Sequence, residues 1–198
     1  MKTAKIISII GHPIFHPTWM MILLLLTGIT QFNHNNDLTF LSTTFAMTFF
    51  VPVVIIVMMK KWGIIQSFEM EERDDRLGPL FIMILFLYTT LQFFNKIHLF
   101  QSFSFYLITV IAVTALAFIV TFFWKISLHT LGWGNMVGYL FIKTIEKPSF
   151  LPYLIAGILL TGIVAAARLK LKSHSNTQIY SGFAMGFATV MVMFFLMS

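Results

Sequence analysis

The sequence predicts an all-α integral membrane protein, a polytopic transmembrane bundle of about six to seven helices. Three observations carry that prediction. Only 10% of the residues are charged, against about 25% in an average soluble domain. Hydrophobic residues make up 58% of the chain, and the mean hydropathy is +0.88. The apolar residues also gather into runs that approach the roughly 20 residues a helix needs to cross a bilayer.

Taken in order, those runs place helices at 14–32, 38–59, 79–95, 102–124, 128–143, 150–168 and 179–197. The fifth is the shortest and carries Gly132, Gly134 and Gly138. A count of six crossings plus a re-entrant fifth segment is therefore the alternative to seven. Pro52 falls inside the second helix, where it removes a backbone donor and should bend the axis. The 23 Phe and 13 Met read as lipid contact and gap-filling packing rather than as a cofactor box. No repeat, linker or second domain is visible, so residues 1–198 read as one transmembrane domain.

The N-terminal stretch, with Lys2 and Lys5 before Ile6-Ile-Ser-Ile-Ile10, is too short in its apolar run for a signal peptide and is read as retained. His12 and His16 are four apart, a spacing that holds metal on a helix. Pro13 and Pro17 argue against a regular helix there, so the segment reads as a membrane entry that lids a site, not as a metal centre. With no Cys in the chain, disulfides, thiolate catalysis and Cys-ligated metal are excluded.

With seven crossings, the N-terminus and the loops at 60–78, 125–127 and 169–178 share one side of the membrane. That side holds ten of the thirteen Lys and Arg residues, among them Arg73, Arg76, Lys125 and Arg168; Lys96, Lys143 and Lys147 lie opposite. Positive charge marks the cytoplasmic side, so the N-terminus should be inside. The net charge of +6 is accounted for in this way and does not point to nucleic acid.

Three polar patches fall on that one side. The first is the loop Ser67 to Pro79, where Arg73 and Arg76, three apart on a helical turn, form a cationic face that a phosphate can bridge. Pairing with the surrounding Glu71, Glu72, Asp74 and Asp75 is the competing reading. The second is Trp124-Lys-Ile-Ser-Leu-His129, with Lys125, Ser127 and His129 at a helix junction. A snorkelling Lys and a capping His would explain it without function, although ionisable groups at a membrane edge are functional candidates by default. The third runs from Ala167 to Gln178. Arg168 follows an apolar run directly, and His174 and Gln178 are four apart, so on one helical face the Gln amide orients the imidazole. An anion clamp beside an oriented His is the minimal equipment for handling phosphate. A basic loop, with Gly182 and Gly186 packing the last helix closely, is the plainer alternative.

These residues resemble the type 2 phosphatidic acid phosphatase superfamily of membrane phosphatases. Its third motif is Ser-Arg, five residues, His, three residues, Asp; here Ala167-Arg168, five residues, His174, three residues, Gln178 is similar to it. The second, Pro-Ser-Gly-His, resembles Ile126-Ser127-Leu128-His129. The first, Lys, six residues, Arg-Pro, resembles a degenerate Arg73-Asp-Asp-Arg76-Leu-Gly-Pro79. The resemblance covers about residues 70–190 and is to divergent bacterial members of the Bacteroidetes type.

The resemblance implies a lipid-phosphate or prenyl-pyrophosphate phosphatase of a bacterial inner membrane that needs no metal and no cofactor. His174 would attack phosphorus and form a phosphohistidine, and His129 would protonate the leaving oxygen. Arg168, Arg76, Arg73 and Lys125 would hold the phosphoryl oxygens, Ser127 would add a hydrogen bond, and Gln178 would orient His174. Gln178 stands where the family has Asp, Leu128 where it has Gly, and Glu69 where it has Lys; Arg76 is not followed directly by Pro. These departures keep open a non-catalytic membrane protein of the same fold that binds or moves anionic lipids. Family members often face the site outward, whereas the charge count places it inside.

Overall fold

The computed structural model describes residues 1–28, 34–68, 70, 72–95 and 101–197, with the backbone alone at 34–36. The end of the first expected helix, Glu69, Glu71 and the loop around Lys96 lie outside the described residues. Among the described residues every regular element is helical. Among them, six helical stretches are long and apolar enough to cross a bilayer, and the chain is an integral membrane protein.

The first stretch, Lys2–Leu26, begins at Lys2 rather than at 14. It consists of α1 (Lys2–Ile10), a 3-10 turn at Pro13–Phe15 and α2 (His16–Leu26). The prolines interrupt the helix here without ending the span. Pro17 lies in the first turn of α2, where its missing N–H would have had no helical partner. The second stretch, Asp37–Lys61, joins α3 (His34–Phe45) to α4 (Val51–Lys61) through a π-helical turn at Ala46–Phe50. Pro52 explains that turn: its ring crowds the carbonyl one turn earlier and it donates no hydrogen bond, so the backbone widens.

The remaining helices are α5 (Asp74–Asn95), α6 (Gln101–Thr121), α7 (Leu128–Glu146), α8 (Leu151–Lys170) and α9 (Asn176–Met197). Asp74 and Asp75 start α5 earlier than expected, because carboxylates favour the positive end of the helix dipole. The glycine-bearing fifth segment forms one continuous helix, α7, over 19 residues, about 28 Å at 1.5 Å per residue. It is not among the six apolar stretches and, among the described residues, is the most enclosed helix, with Thr130, Asn135 and Lys143 buried along it. A helix surrounded by protein needs no apolar coat facing lipid.

The helices gather into two compact units. One comprises Ile14–Phe122, with α2 to α6. Phe94 sits at its centre, edge-on to Phe103 at 5.1 Å between ring centroids and tilted against Phe40 at 6.1 Å. Part of the aromatic content is thus core. Where α5 begins, the Asp75 carboxylate accepts hydrogen bonds from the backbone N–H groups of Gln66 (3.1 Å) and Ser67 (3.3 Å), tying down the preceding loop.

The other unit comprises Met1–Pro13 and Phe123–Ser198, with α1, α7, α8 and α9. α7 packs against both α8 and α9, and α1 packs against α8. The contact between α7 and α9 is backbone-close: a Cβ added to Gly186 would lie 2.9 Å from the Asn135 backbone nitrogen. The buried Thr161 hydroxyl is satisfied within its own helix, Oγ1 donating to the Gly157 carbonyl at 2.7 Å. Without water nearby, an unpaired hydroxyl would be costly.

Candidate functional site

Within the second of these units, the start of α7, the end of α8 and the start of α9 meet because consecutive helices run antiparallel through short connections. Ser127 is the N-cap of α7. Its hydroxyl, fully buried, accepts from the Thr130 N–H at 3.5 Å, and its own N–H donates to the Gln178 carbonyl at 3.4 Å. The structure therefore gives Ser127 a capping task. Gly182 makes this junction possible, since a Cβ there would come within 2.6 Å of Thr130 Oγ1.

The connection between α8 and α9 is tight. Lys172 adopts a left-handed backbone conformation, φ 54°, and the N–H groups of Leu171, Lys172 and Ser173 return to the carbonyls of Ala167, Leu169 and Arg168. The turn satisfies the end of α8 and delivers His174 to the start of α9. There Ser175 and Gln178 form a reciprocal capping box. The Gln178 N–H donates to Ser175 Oγ at 3.3 Å, and the Ser175 N–H donates to Gln178 Oε1 at 3.1 Å.

The capping box fixes the chemistry of His174. A backbone N–H only donates, so the Gln178 atom facing Ser175 must be the amide oxygen. The same oxygen lies 3.0 Å from His174 Nδ1. Nδ1 therefore carries a proton and donates it to Gln178, which in the neutral imidazole leaves the lone pair on Nε2. Gln178 orients a buried imidazole and sets its tautomer.

His129 is held in the opposite sense. Its Nε2 lies 3.0 Å from the backbone carbonyl of Ser8 on α1, an acceptor only, so Nε2 is protonated. The Ser8 hydroxyl lies 3.3 Å from the same nitrogen and accepts a 2.8 Å hydrogen bond from Arg168 Nη1. One oxygen atom thus stands between a guanidinium and an imidazole. His12, exposed beyond the end of α1, presents its ring edge-to-face to His129 with centroids 4.8 Å apart. His12, Arg168 and His174 all lie within electrostatic reach of His129. The Trp133 indole donates to the Gly11 carbonyl at 3.0 Å, which fastens the end of α1 onto α7.

The structure thus brings His174, Gln178, Arg168, His129 and Ser127 into one unit. Lys125, half-buried, belongs to the same unit, in the segment leading into α7. Arg73 and Arg76 belong to the other unit, Ile14–Phe122. Arg76 is buried and its Nε donates to the Met70 carbonyl at 2.9 Å, whereas the exposed Arg73 reaches the Phe122 carbonyl with Nη1 at 3.3 Å. His12 and His16 are likewise divided: His12 faces His129, and the buried His16 lies against Trp19 at 5.7 Å. Among the described residues, no three His, Asp or Glu side chains gather closely enough to hold a metal ion.

Sequence reasoning missed Ser8 and underrated His12. The signal available for both was slight: a single hydroxyl in Ile-Ile-Ser-Ile-Ile, and a His just after it. Their partners lie more than a hundred residues away. The Ser-x-x-Gln capping box, by contrast, was written in the sequence at 175–178.

No family model, curated protein or solved structure matches this chain.

Proposed function

We propose that this protein is a phosphatase-like membrane protein of the type 2 phosphatidic acid phosphatase kind, acting on a lipid phosphate or prenyl pyrophosphate in a bacterial inner membrane. The observation that carries the reading is the His174–Gln178 pair. An imidazole whose Nδ1–H is committed to an amide oxygen offers its Nε2 lone pair as a nucleophile. Attack on phosphorus forms a P–Nε2 bond as the P–O bond to the alcohol or phosphate leaving group breaks. Water then attacks the phosphohistidine, releasing inorganic phosphate and restoring the imidazole. Arg168, in the same unit, supplies the fixed positive charge that stabilises oxygens of the transferring group.

A second reading has its own observation. His129, the expected acid, donates its Nε2–H to the Ser8 carbonyl, so any proton it gave a leaving group would have to come from Nδ1. That engagement favours a protein that binds anionic lipid head groups without turning them over.

Both readings require Arg168 to hold a phosphoryl group. Vanadate or phosphate should therefore raise the melting temperature of the purified protein in detergent, because a ligand that binds only the folded state stabilises it; at a hundredfold excess over Kd the gain is about 2.7 kcal/mol. Arg168→Ala should remove that shift. A shift of equal size in Arg168→Ala would mean that Arg168 serves only to orient the chain in the membrane.

A further inference from the structure

We propose that Ser8, on the N-terminal helix, is a phosphoryl ligand of this site: its hydroxyl donates to a phosphoryl oxygen while Arg168 and His129 hold it in place. The assignment rests on the phosphoryl-binding reading above and adds a residue that the motif resemblance does not contain.

Arg168 Nη1 can only donate, so at 2.8 Å the Ser8 oxygen is the acceptor. His129 Nε2 carries its proton, because it also faces the Ser8 carbonyl at 3.0 Å, so it cannot accept from the hydroxyl 3.3 Å away. The Ser8 O–H proton is therefore turned away from both partners. Ser8 is 6% exposed, and no acceptor among the described residues receives that proton. A buried hydroxyl with an uncommitted donor is costly unless something accepts it. Next to a guanidinium, the favoured acceptor is an anionic oxygen. The hydrogen bond from Arg168 draws electron density from the Ser8 oxygen and strengthens the O–H as a donor.

The placement of α1 is fixed well enough for this task. Ser8 meets Arg168, and Gly11 meets Val164 four residues earlier on α8, so α1 runs antiparallel to α8. Gly11 has no room for a side chain against Val164, and Trp133 holds its carbonyl. Ser8 is thus set against α8 despite its distance in sequence.

The shared chemistry is a phosphoryl group, either free or on a lipid, and two arms separate the sources: titration with inorganic phosphate and with a short-chain phosphatidic acid in detergent. Ser8→Ala and Ser8→Val should weaken binding about tenfold to a hundredfold, the effect of removing one hydrogen bond to a charged group. Ser8→Thr, isosteric with Val but keeping the hydroxyl, should bind within a fewfold of wild type. That pair decides the matter even if Ser8→Ala does not fold. Equal binding by the Thr and Val variants would overturn the assignment. Tighter binding by Ala and Val would also overturn it, showing that the hydroxyl occupies the ligand's place. If wild type binds in neither arm, the phosphoryl reading itself fails and takes the assignment with it. Loss confined to the Val and Ala variants, in whichever arm wild type binds, supports Ser8 alone as the added ligand.

Discussion

Replacing His174 with alanine is expected to abolish dephosphorylation of a lipid phosphate in detergent micelles, by at least about 10⁴-fold. Removing the nucleophile of a comparably cooperative unit costs about 10⁶ in kcat. The variant should still fold, since the capping box of Ser175 and Gln178 does not depend on the imidazole. It should also keep its thermal response to phosphate, because Arg168 remains. Full turnover by His174→Ala would remove the nucleophile from the account. A lost thermal response would instead assign His174 to binding.

The second large effect is expected at Gln178. Gln178→Leu removes both the acceptor for His174 Nδ1–H and half of the capping box. Without that acceptor the imidazole is free to take the wrong tautomer, and turnover should fall by about 10² to 10⁴-fold, the range for disabling a positioned acid–base group. Stability should fall by only about 1 kcal/mol, the usual worth of a cap. Gln178→Glu keeps the length, the cap and the acceptor, and adds a carboxylate that favours the imidazolium formed on attack. It should turn over as fast as wild type or faster. Gln178→Asp, one methylene shorter, carries the same charge but reaches Nδ1 less well, so Glu should exceed Asp. Activity in Glu but in no wild-type preparation would select the binding-only reading for the present protein.

The membrane fold was legible because hydropathy is a sum over many residues, and single departures such as Pro17 or the glycines of α7 leave it nearly unchanged. Helix ends were less legible. α1 was not foreseen because Pro13 and Pro17 read as breakers, whereas Pro17 is tolerated in a first turn. α5 began early because Asp74 and Asp75 favour a helix start, although they look like loop residues. At the site, the i, i+4 spacing of His174 and Gln178 is local information, and the 3.0 Å hydrogen bond between them follows from it. Ser8 was illegible for the opposite reason. Its contacts with His129 and Arg168 span 121 and 160 residues, and no local periodicity encodes them. The carbonyls that Arg73 and Arg76 reach, Phe122 and Met70, were likewise not encoded in their spacing.

The proposed reaction requires one particular nitrogen, Nε2 of His174, to meet phosphorus. The direct measurement is to quench the purified protein during turnover of a phosphorus-labelled lipid phosphate, digest it, and identify the labelled residue and isomer by mass spectrometry and nuclear magnetic resonance. With Nδ1–H held by Gln178, the expected adduct is an acid-labile phosphohistidine at Nε2 of His174, lost in His174→Ala and retained in Arg168→Lys at a lower level. Label on His129, on Nδ1 of His174, or on no residue while inorganic phosphate is released would contradict it.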